Sequence, residues 1–271
     1  MHRLMMLLVL VAGLVGVNAK NALAAPDTPA DTPVYAVLSL IGDRLDIVIR
    51  QLQTGARVDR NGHQPLPITD PIFDDAAVRA AGNAVRQAIP KAEIAALNTR
   101  SQVLFDKQAT LFDVSGDTMA IPDAIKDALR EQGATKFVLV GKHRGDASFK
   151  FASGVFDGAG KLEGLGFYLD GTWKTYAVDP KTGARSQAGK GFIAPFAFME
   201  VTLVDILSYR VLGKKKVAAY YMAGSGRAEQ DIGEPWSALT SADKVRLVNK
   251  LVEREVAAAV QGLVAGTGTP K

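Results

Sequence analysis

The sequence predicts an α/β or α+β fold, a single domain in which three to four helices pack on a mixed, largely antiparallel sheet. Two observations predict this class. In the first half of the chain, segments with helical spacing of apolar residues alternate with a strand that is apolar on both faces, as is typical of a central strand covered by helices. In the second half the apolar period changes to two, and β-forming runs follow one another between turn residues.

The amino-terminal segment predicts export. His2 and Arg3 precede an uninterrupted apolar run, Leu4–Val17, and small residues follow it. This order is typical of a secretory signal peptide, with a cleavage site after Ala24 and a second acceptable site after Ala19. The apolar run is shorter than the roughly 20 residues that a membrane span needs. We therefore expect a cleaved signal and a periplasmic or secreted protein of the Gram-negative export type.

These features define the expected organisation of the chain. Residues 1–24 are predicted to be the signal peptide and residues 25–33, rich in Ala, Pro, Asp and Thr, a flexible leader. Residues 34–265 form the single domain, and residues 266–271 form a disordered tail.

Composition limits the classes of partner. The chain has no cysteine, so no disulfide can staple the fold and no cysteine can carry a lipid anchor. The net charge of +4 falls to +2 once the signal is removed, because that segment holds Arg3 and Lys20 and no acid. Lys214–Lys216 is the densest basic run, and it is typical of a solvated turn or a charged strand edge. We expect no nucleic-acid partner and no stable membrane anchor after cleavage.

The first predicted elements are strands. Val34–Leu40 and Leu45–Arg50 are β-rich runs around a short turn that contains glycine, and they predict a hairpin. Gln53–Pro71 contains several Gly and Pro residues and predicts a long loop.

Helical signals follow. One helix is predicted from Asp74, whose carboxylate can accept the free N–H groups of the first turn, to Pro90, which stops it. Ser101–Phe112 is a second helical candidate. A third helix begins after Pro122 and ends at Gly133, a residue suited to the left-handed conformation that closes helices.

The remaining elements are strands and a final helix. Lys136–Arg144 is predicted to be the central strand. Further strand-like runs are separated by turn residues at Asp157–Gly160, Asp170–Gly171 and Asp179–Gly183; these runs are Ser148–Phe156, Lys161–Asp170, Thr172–Asp179, Phe196–Asp205 and Arg210–Met222. The last helix starts at Thr240, which forms a capping arrangement with Asp243.

Two segments resemble a known group of envelope proteins. Glu131–Gly141 (EQGATKFVLVG) is similar to a helix, Gly-Ala and strand unit, and Glu200–Gly213 (EVTLVDILSYRVLG) resembles a strand, Asp-centred turn and strand. Both units occur in the α/β domain shared by the curli-secretion lipoprotein, the lipoprotein activators of penicillin-binding proteins and the amino-terminal domain of TolB. The resemblance extends from Asp74 to Gly226, but the lipidated cysteine is missing and the Gly-containing run after the first strand has no clear counterpart. It implies an α/β fold and an envelope setting, and no functional residue.

Motifs for catalysis and cofactor binding fail on inspection. The runs at Gly160 and Gly189 lack the spacing and hydroxyl of a phosphate-binding loop, and Ser225 lacks the glycines of a nucleophile elbow. After signal cleavage, His63 and His143 are the histidines that remain, and there is no thiol to complete a zinc site. The sequence therefore predicts no cofactor and no metal.

The strand end at residue 143 is the candidate catalytic or ligand site. His143, Arg144 and Asp146 bring a base, a cation and an acid together where the chain leaves the sheet, which is where α/β folds tend to bind ligands. Alternation along the strand places Lys142 and Arg144 on one face and His143 on the other, so spacing alone does not create a relay. Ion pairing at the strand end is the alternative interpretation.

Four aromatic residues are candidates for binding a ligand or partner. Phe167 and Tyr168 are predicted to face Trp173 and Tyr176 across a hairpin that turns at Asp170–Gly171. Cross-strand aromatic pairs usually stabilise a sheet. If several face water, they form a patch for a sugar or a protein partner.

Two functional hypotheses remain. The first is a non-enzymatic envelope module that binds a protein partner, either an envelope protein or a second copy of itself. The alternative is an exported hydrolase or small-ligand-binding protein with a site near His143, Arg144 and Asp146. The signal, the resemblance and the lack of catalytic motifs favour the first.

Overall fold

The computed structural model describes residues 32–51, 61–151, 154–178, 181–182, 185–224 and 235–267. The predicted signal peptide, the leader up to residue 31 and the tail from residue 268 lie outside these ranges. The cleavage site and the proposed disorder of the tail therefore stay predictions.

The described residues form strands and helices in the order that follows. The strands are β1 (Val34–Ser39), β2 (Arg44–Ile49), β3 (Gly62–Pro67), β4 (Glu93–Leu97), β5 (Val114–Ser115), β6 (Thr118–Met119), β7 (Lys136–Lys142), β8 (Arg144–Phe151), β9 (Gly154–Val178), β10 (Arg185–Asp205), β11 (Val211–Tyr220) and β12 (Ala223–Gly224). The helices are α1 (Ile72–Ala88), α2 (Gln102–Leu111), α3 (Asp123–Glu131) and α4 (Ser241–Thr267), with a 3-10 turn at Pro235–Ala238.

The predicted fold class is confirmed. A large mixed sheet runs in the order β3-β2-β9-β10-β7-β1-β4, with β8 added to β9 and with β11 and β12 added to β10. Helices α1 and α4 pack together and contribute to the core on one face of the sheet. Helices α2 and α3 cover a separate core on the other face. Among the described residues, no helix is both long and apolar enough to cross a membrane.

The central position of β7 is confirmed. This strand lies between β1, its parallel neighbour, and β10, its antiparallel neighbour. Val138 and Val140 enter the core beneath α1 and α4, whereas Phe137 and Leu139 enter the core beneath α2 and α3. Burial on both faces explains why the strand is apolar throughout its middle.

Strand β10 joins two halves of the sheet. Its residues 196–198 pair with both β9 and β11, and its residues 199–204 pair with both β7 and β11. Because a strand has two edges, β9 and β7 must follow one another along the same edge of β10. The two halves meet at a place that we call the junction, formed by Leu40–Asp43 between β1 and β2 and by Lys142–Arg144 between β7 and β8.

The predicted hairpin between β1 and β2 is wrong. β1 pairs with β4 and β7, whereas β2 pairs with β3 and β9, so the two strands do not pair with each other. The connecting segment cannot act as a surface turn, because Ile41 is fully buried and the N–H groups of Ile41 and Gly42 are bound by a carboxylate of α1. The chain therefore continues from one half of the sheet to the other.

The predicted long loop at Gln53–Pro71 is also wrong in part. Gly62–Pro67 forms β3, which pairs antiparallel with β2 and ends the sheet. Pro65 and Pro67 cannot donate hydrogen bonds to a second neighbour, and an edge strand tolerates them for that reason.

Two predicted turns inside β9 are instead irregularities of a continuous strand. Gly160 has a φ of 86° and lies beside the register shift between β8 and β9. Asp170 and Gly171 lie opposite Gly191, which has a φ of 84° and interrupts the register of β10. Glycine and aspartate at these positions therefore mark β-bulges and not chain reversals.

The helices agree with their predicted positions, with one correction. α1 begins at Ile72, so Asp74 lies in the first turn and does not cap it. α3 ends before Gly133, whose φ of 61° fits the predicted closing residue. At the start of α4, the Asp243 N–H donates to Thr240 Oγ1 at 3.1 Å, as the capping pattern predicts.

Candidate functional site

Asp74 fixes the first segment of the junction. Its Oδ1 accepts hydrogen bonds from Ser39 Oγ at 2.7 Å, from the Ile41 N–H at 3.0 Å and from the Gly42 N–H at 3.2 Å. A Cβ at residue 42 would lie 2.5 Å from Asp74 Oδ2, so only glycine fits there. Burial raises the pKa of Asp74 to about 6, although the three hydrogen bonds act in the opposite direction.

The residue that follows this segment forms a buried ion pair. Lys142 Nζ lies 2.5 Å from Asp43 Oδ1, and the two side chains are only 5% and 4% exposed. The angles do not make this contact a hydrogen bond, so among the described residues the ammonium and both carboxylate oxygens lack hydrogen-bond partners. Such a pair ties the two segments of the junction together, since removing one partner would leave the other charge buried.

Gln108 connects α2 to both segments. Its Nε2 donates to the Leu40 carbonyl at 3.1 Å, and its Oε1 accepts from the Lys142 N–H at 2.8 Å. A Cβ at Gly141 would come within 2.9 Å of that Oε1, so the glycine gives the amide room to reach the strand. The junction is therefore held by α1, α2 and β7 together.

A polar cavity of about 460 Å³ adjoins the junction. Burial lowers the pKa of His143 below its ordinary value, and Lys216 lowers it further, while Glu200 and Glu163 oppose the shift. The cavity lies between α2, β7 and the ends of β8, β10 and β11. Its titratable lining residues are Asp113, Lys142, His143, Arg144, Glu163, Glu200 and Lys214.

The structure places two of the three predicted strand-end residues on this cavity. His143 and Arg144 line it, but Asp146 is exposed on β8 and pairs with Lys161 at 2.9 Å. Within the described residues no hydrogen bond or ion pair links His143 to Asp146. The arrangement can therefore hold a polar ligand, but it does not form a His-Asp relay.

A second, smaller cavity lies on the other side of Lys142. It has a volume of about 240 Å³, and its lining includes His63, Asp46 and Arg44. His63 Nδ1 is 2.8 Å from Asp46 Oδ2. The two cavities share Lys142 and Glu163, and among the described residues no group of three or more His, Cys, Asp or Glu side chains could hold a metal ion.

The predicted aromatic patch requires correction. Phe167 and Tyr168 are both 0% exposed, so neither presents a surface to a ligand. Phe167 meets the Trp236 ring edge-on at 5.4 Å, and Tyr168 packs on Phe149 at 4.8 Å. All four predicted aromatic residues lie on the one strand β9, so they do not face each other across a hairpin. The side chains of Trp173 and Tyr176 lie outside the described residues.

The edges of the large sheet are a second candidate surface. Among the described strands longer than two residues, β3, β4, β8 and β11 pair on one side only. Three of these four carry residues that discourage further pairing. They are Pro65 and Pro67 in β3, Arg144, Asp146 and Lys150 in β8, and Lys214–Lys216 in β11, where the predicted charged strand edge is confirmed.

Strand β4 is the exception. Its sequence, EIAAL, contains neither proline nor lysine. The Glu93 N–H donates to the Pro33 carbonyl beside β1, so in this parallel pair the backbone of residues 93, 95 and 97 faces β1. The N–H and C=O groups of Ile94 and Ala96 therefore point out of the sheet, and no described strand binds them. We call this surface the open edge.

Sequence reasoning does not find the buried pair or the open edge. Asp43 and Lys142 are remote in sequence, and no spacing rule connects them. The open edge depends on the order of strands in the sheet, which local patterns do not contain. The absence of proline and lysine from Glu93–Leu97 is the available signal, but it gains meaning only once this segment is known to be a terminal strand.

Comparisons with known proteins give no family. No family model matches the chain, and no curated protein matches it by sequence. Solved structures with a related arrangement are protein XCC0632 from Xanthomonas campestris, of family DUF330 (10% identity, TM-score 0.37, covering 89% of this chain and 90% of that one), the PelC dodecamer from Paraburkholderia phytofirmans (8%, 0.28, 88% and 89%) and the hypothetical protein CT253 from Chlamydia trachomatis (11%, 0.33, 86% and 98%). At these identities and TM-scores, none assigns a function or partner to this chain.

Proposed function

We propose that this chain is an exported envelope protein that acts as a non-enzymatic module, binding a protein partner by strand addition at the open edge of β4. The observation that carries the proposal is the contrast between this edge and the protected edges of β3, β8 and β11. The signal pattern in residues 1–24 supports export. The resemblance of Glu131–Gly141 and Glu200–Gly213 to the envelope α/β group supports the same setting.

Strand addition suits the geometry of this edge. The outward N–H and C=O groups of Ile94 and Ala96 supply four hydrogen-bonding positions in the right direction for an added strand. Main-chain bonds give affinity in this mode, and the side chains of the added strand give specificity. Because β4 has only five residues, we expect a small and readily reversible interface.

Substitution of the exposed Ala96 tests this function. Ala96→Lys places a protective charge on the open edge without removing a bond to β1, and we expect it to reduce partner capture from the native envelope by about tenfold or more, equivalent to ~1.4 kcal/mol. Ala218→Lys is the matched control, since Ala218 is exposed on β11 beside lysines that already protect that edge. Equal capture by the Ala96→Lys variant would exclude strand addition at β4, and so would the absence of any reproducible partner together with a monomeric mass.

The cavity beside His143 favours a second candidate, a small-ligand-binding protein. Because Asp146 pairs with Lys161 and not with His143, ligand binding has more support than hydrolysis. A thermal-shift screen with monosaccharides, amino acids and inorganic phosphate tests it. We expect a ligand to raise the melting temperature of the wild type and of His63→Ala, which alters the smaller cavity, but to have a weaker effect on His143→Ala. An unchanged shift in His143→Ala would exclude this site.

A further inference from the structure

We infer that the strand which fills the open edge is β4 of a second copy of this chain, aligned antiparallel about a twofold axis at Ala95. This inference rests on the proposed function, because it names the partner that the open edge binds. It follows from which backbone groups face outward and from how antiparallel strands exchange hydrogen bonds.

The register is set by the outward groups. In an antiparallel pair, two residues that face each other with inward-pointing backbone exchange both of their hydrogen bonds. If the axis passes through Ala95, Ile94 of one copy faces Ala96 of the other, and the reverse pair forms by symmetry. All the outward N–H and C=O groups of both strands are then bonded.

The neighbouring registers use fewer of these groups within β4. Centring the pair on Ile94 leaves Ala96 opposite Ala92, which precedes the strand. Centring it on Ala96 leaves Ile94 opposite Asn98, which follows the strand. The alignment at Ala95 is therefore the one in which every bonded pair lies inside β4.

Side chains are compatible with this alignment. Glu93 is the charged residue of β4, and the twofold axis places it opposite Leu97 of the second copy and not opposite itself. Like charges directly opposite each other would destabilise the pair. The small side chain of Ala95 meets its own copy at the axis. Ala96, which is exposed, lies opposite Ile94 of the second copy on the α1 and α4 face of the continued sheet.

Single cysteines test the register, because the chain has none of its own. In the proposed pair Ala95 faces its copy as a non-hydrogen-bonded pair with a Cα separation of about 4.5 Å. That separation lies within the range that a disulfide bridges. Under mild oxidation of the purified chain, we expect Ala95→Cys to form a disulfide dimer about tenfold faster than the exposed control Ala218→Cys.

Further variants guard against an ambiguous result. Adding Ala96→Lys to Ala95→Cys should slow dimer formation to the rate of Ala218→Cys. A mixture of Ile94→Cys and Ala96→Cys chains should form the mixed dimer in preference to either homodimer. Thermal melting of each reduced variant confirms that it is folded before oxidation.

The outcomes separate this inference from the function on which it rests. Faster dimer formation by Ala96→Cys than by Ala95→Cys would overturn the register. If no cysteine in β4 gives a dimer while Ala96→Lys still abolishes partner capture, the second copy is excluded and the partner is a different protein. If capture is also unaffected by Ala96→Lys, both the inference and the proposed function fail.

Discussion

At the scale of single residues, Asp74 carries the least usual electrostatics in the described part of the fold. Its carboxyl group is buried, yet it holds the segment that leads to Asp43 and thus to the ion pair with Lys142. Burial raises the pKa of Asp74 from 3.8 to about 6. The folded state therefore binds this proton more tightly than the unfolded chain does.

This shift predicts a pH dependence of stability. The favourable contribution of protonated Asp74 is complete below about pH 4 and is lost as the pH rises through about 6, a change of up to about 3 kcal/mol in the free energy of unfolding. Asp74→Asn keeps an acceptor but removes the charge. We expect urea denaturation at pH 4.5 and 7.5 to show this loss in the wild type and a much smaller one in the variant.

Asp205 provides a control of opposite sign. A hydrogen bond from Lys136 is the main cause that lowers the pKa of Asp205 to about 2. Its contribution to stability is present above about pH 4 and is lost as the pH falls through about 2. Asp205→Asn should therefore leave the fall between pH 4.5 and 7.5 intact. An undiminished fall in Asp74→Asn would contradict the assignment to Asp74.

The role of Asp74 also shows what local sequence can and cannot predict for a residue. An acidic residue near the start of a helix is a reasonable cap, and the helix is indeed there. However, the N–H groups that Asp74 binds belong to Ile41 and Gly42, which reach it only through the packing of α1 on β1. The positions of His143 and Arg144 at a cavity are predictable from the strand end, but the pairing of Asp146 with Lys161 is not.

At the scale of elements, the two halves of the sheet depend on a close approach of β2 to β9. A Cβ at Gly166 would lie 2.0 Å from the Asp46 carbonyl oxygen and 2.6 Å from the Phe196 ring. Neither the β2 backbone nor the buried ring can move that far without disturbing the sheet. This glycine is therefore required for the parallel pairing of the two strands.

Substitution at this glycine should be severe. We expect Gly166→Ala to lower the free energy of unfolding by about 4 kcal/mol or more, as measured by urea denaturation. Gly171→Ala is the matched control on the same strand, because a Cβ at residue 171 would have no atom within 4 Å, and we expect a change of less than about 1 kcal/mol. Similar effects of the two substitutions would show that β2 does not approach β9 this closely.

The elements themselves are largely predictable, whereas their pairing is not. Apolar period and capping residues locate α2, α3, α4 and β7 because these signals are local. The predicted hairpin between β1 and β2 is wrong because a short glycine-containing link fits both a turn and a crossing. The turns predicted at Gly160 and Gly171 are wrong for the same reason, since bulges and turns favour the same residues.

At the scale of the whole molecule, burial and protection are unevenly distributed around one sheet. Helices cover both faces, and three of the four one-sided strands longer than two residues in the described structure carry proline or charge. The fourth, β4, leaves the backbone of Ile94 and Ala96 unpaired by any described strand. An exposed, unprotected edge favours pairing with another chain, and this is the basis of the proposed interaction module.

Residue-resolved amide hydrogen exchange measures the state of the open edge most directly. In concentrated protein we expect the amides of Ile94 and Ala96 to exchange slowly and to become fast on dilution, because an added strand binds them only in the assembled state. The amides of Ala95 and Leu97 face β1 and should stay slow at both concentrations. In Ala96→Lys, the amide of Ile94 should be fast throughout. Equally fast exchange of Ile94 and Ala96 in the wild type at every concentration, and in the presence of captured partner, would contradict strand addition at β4.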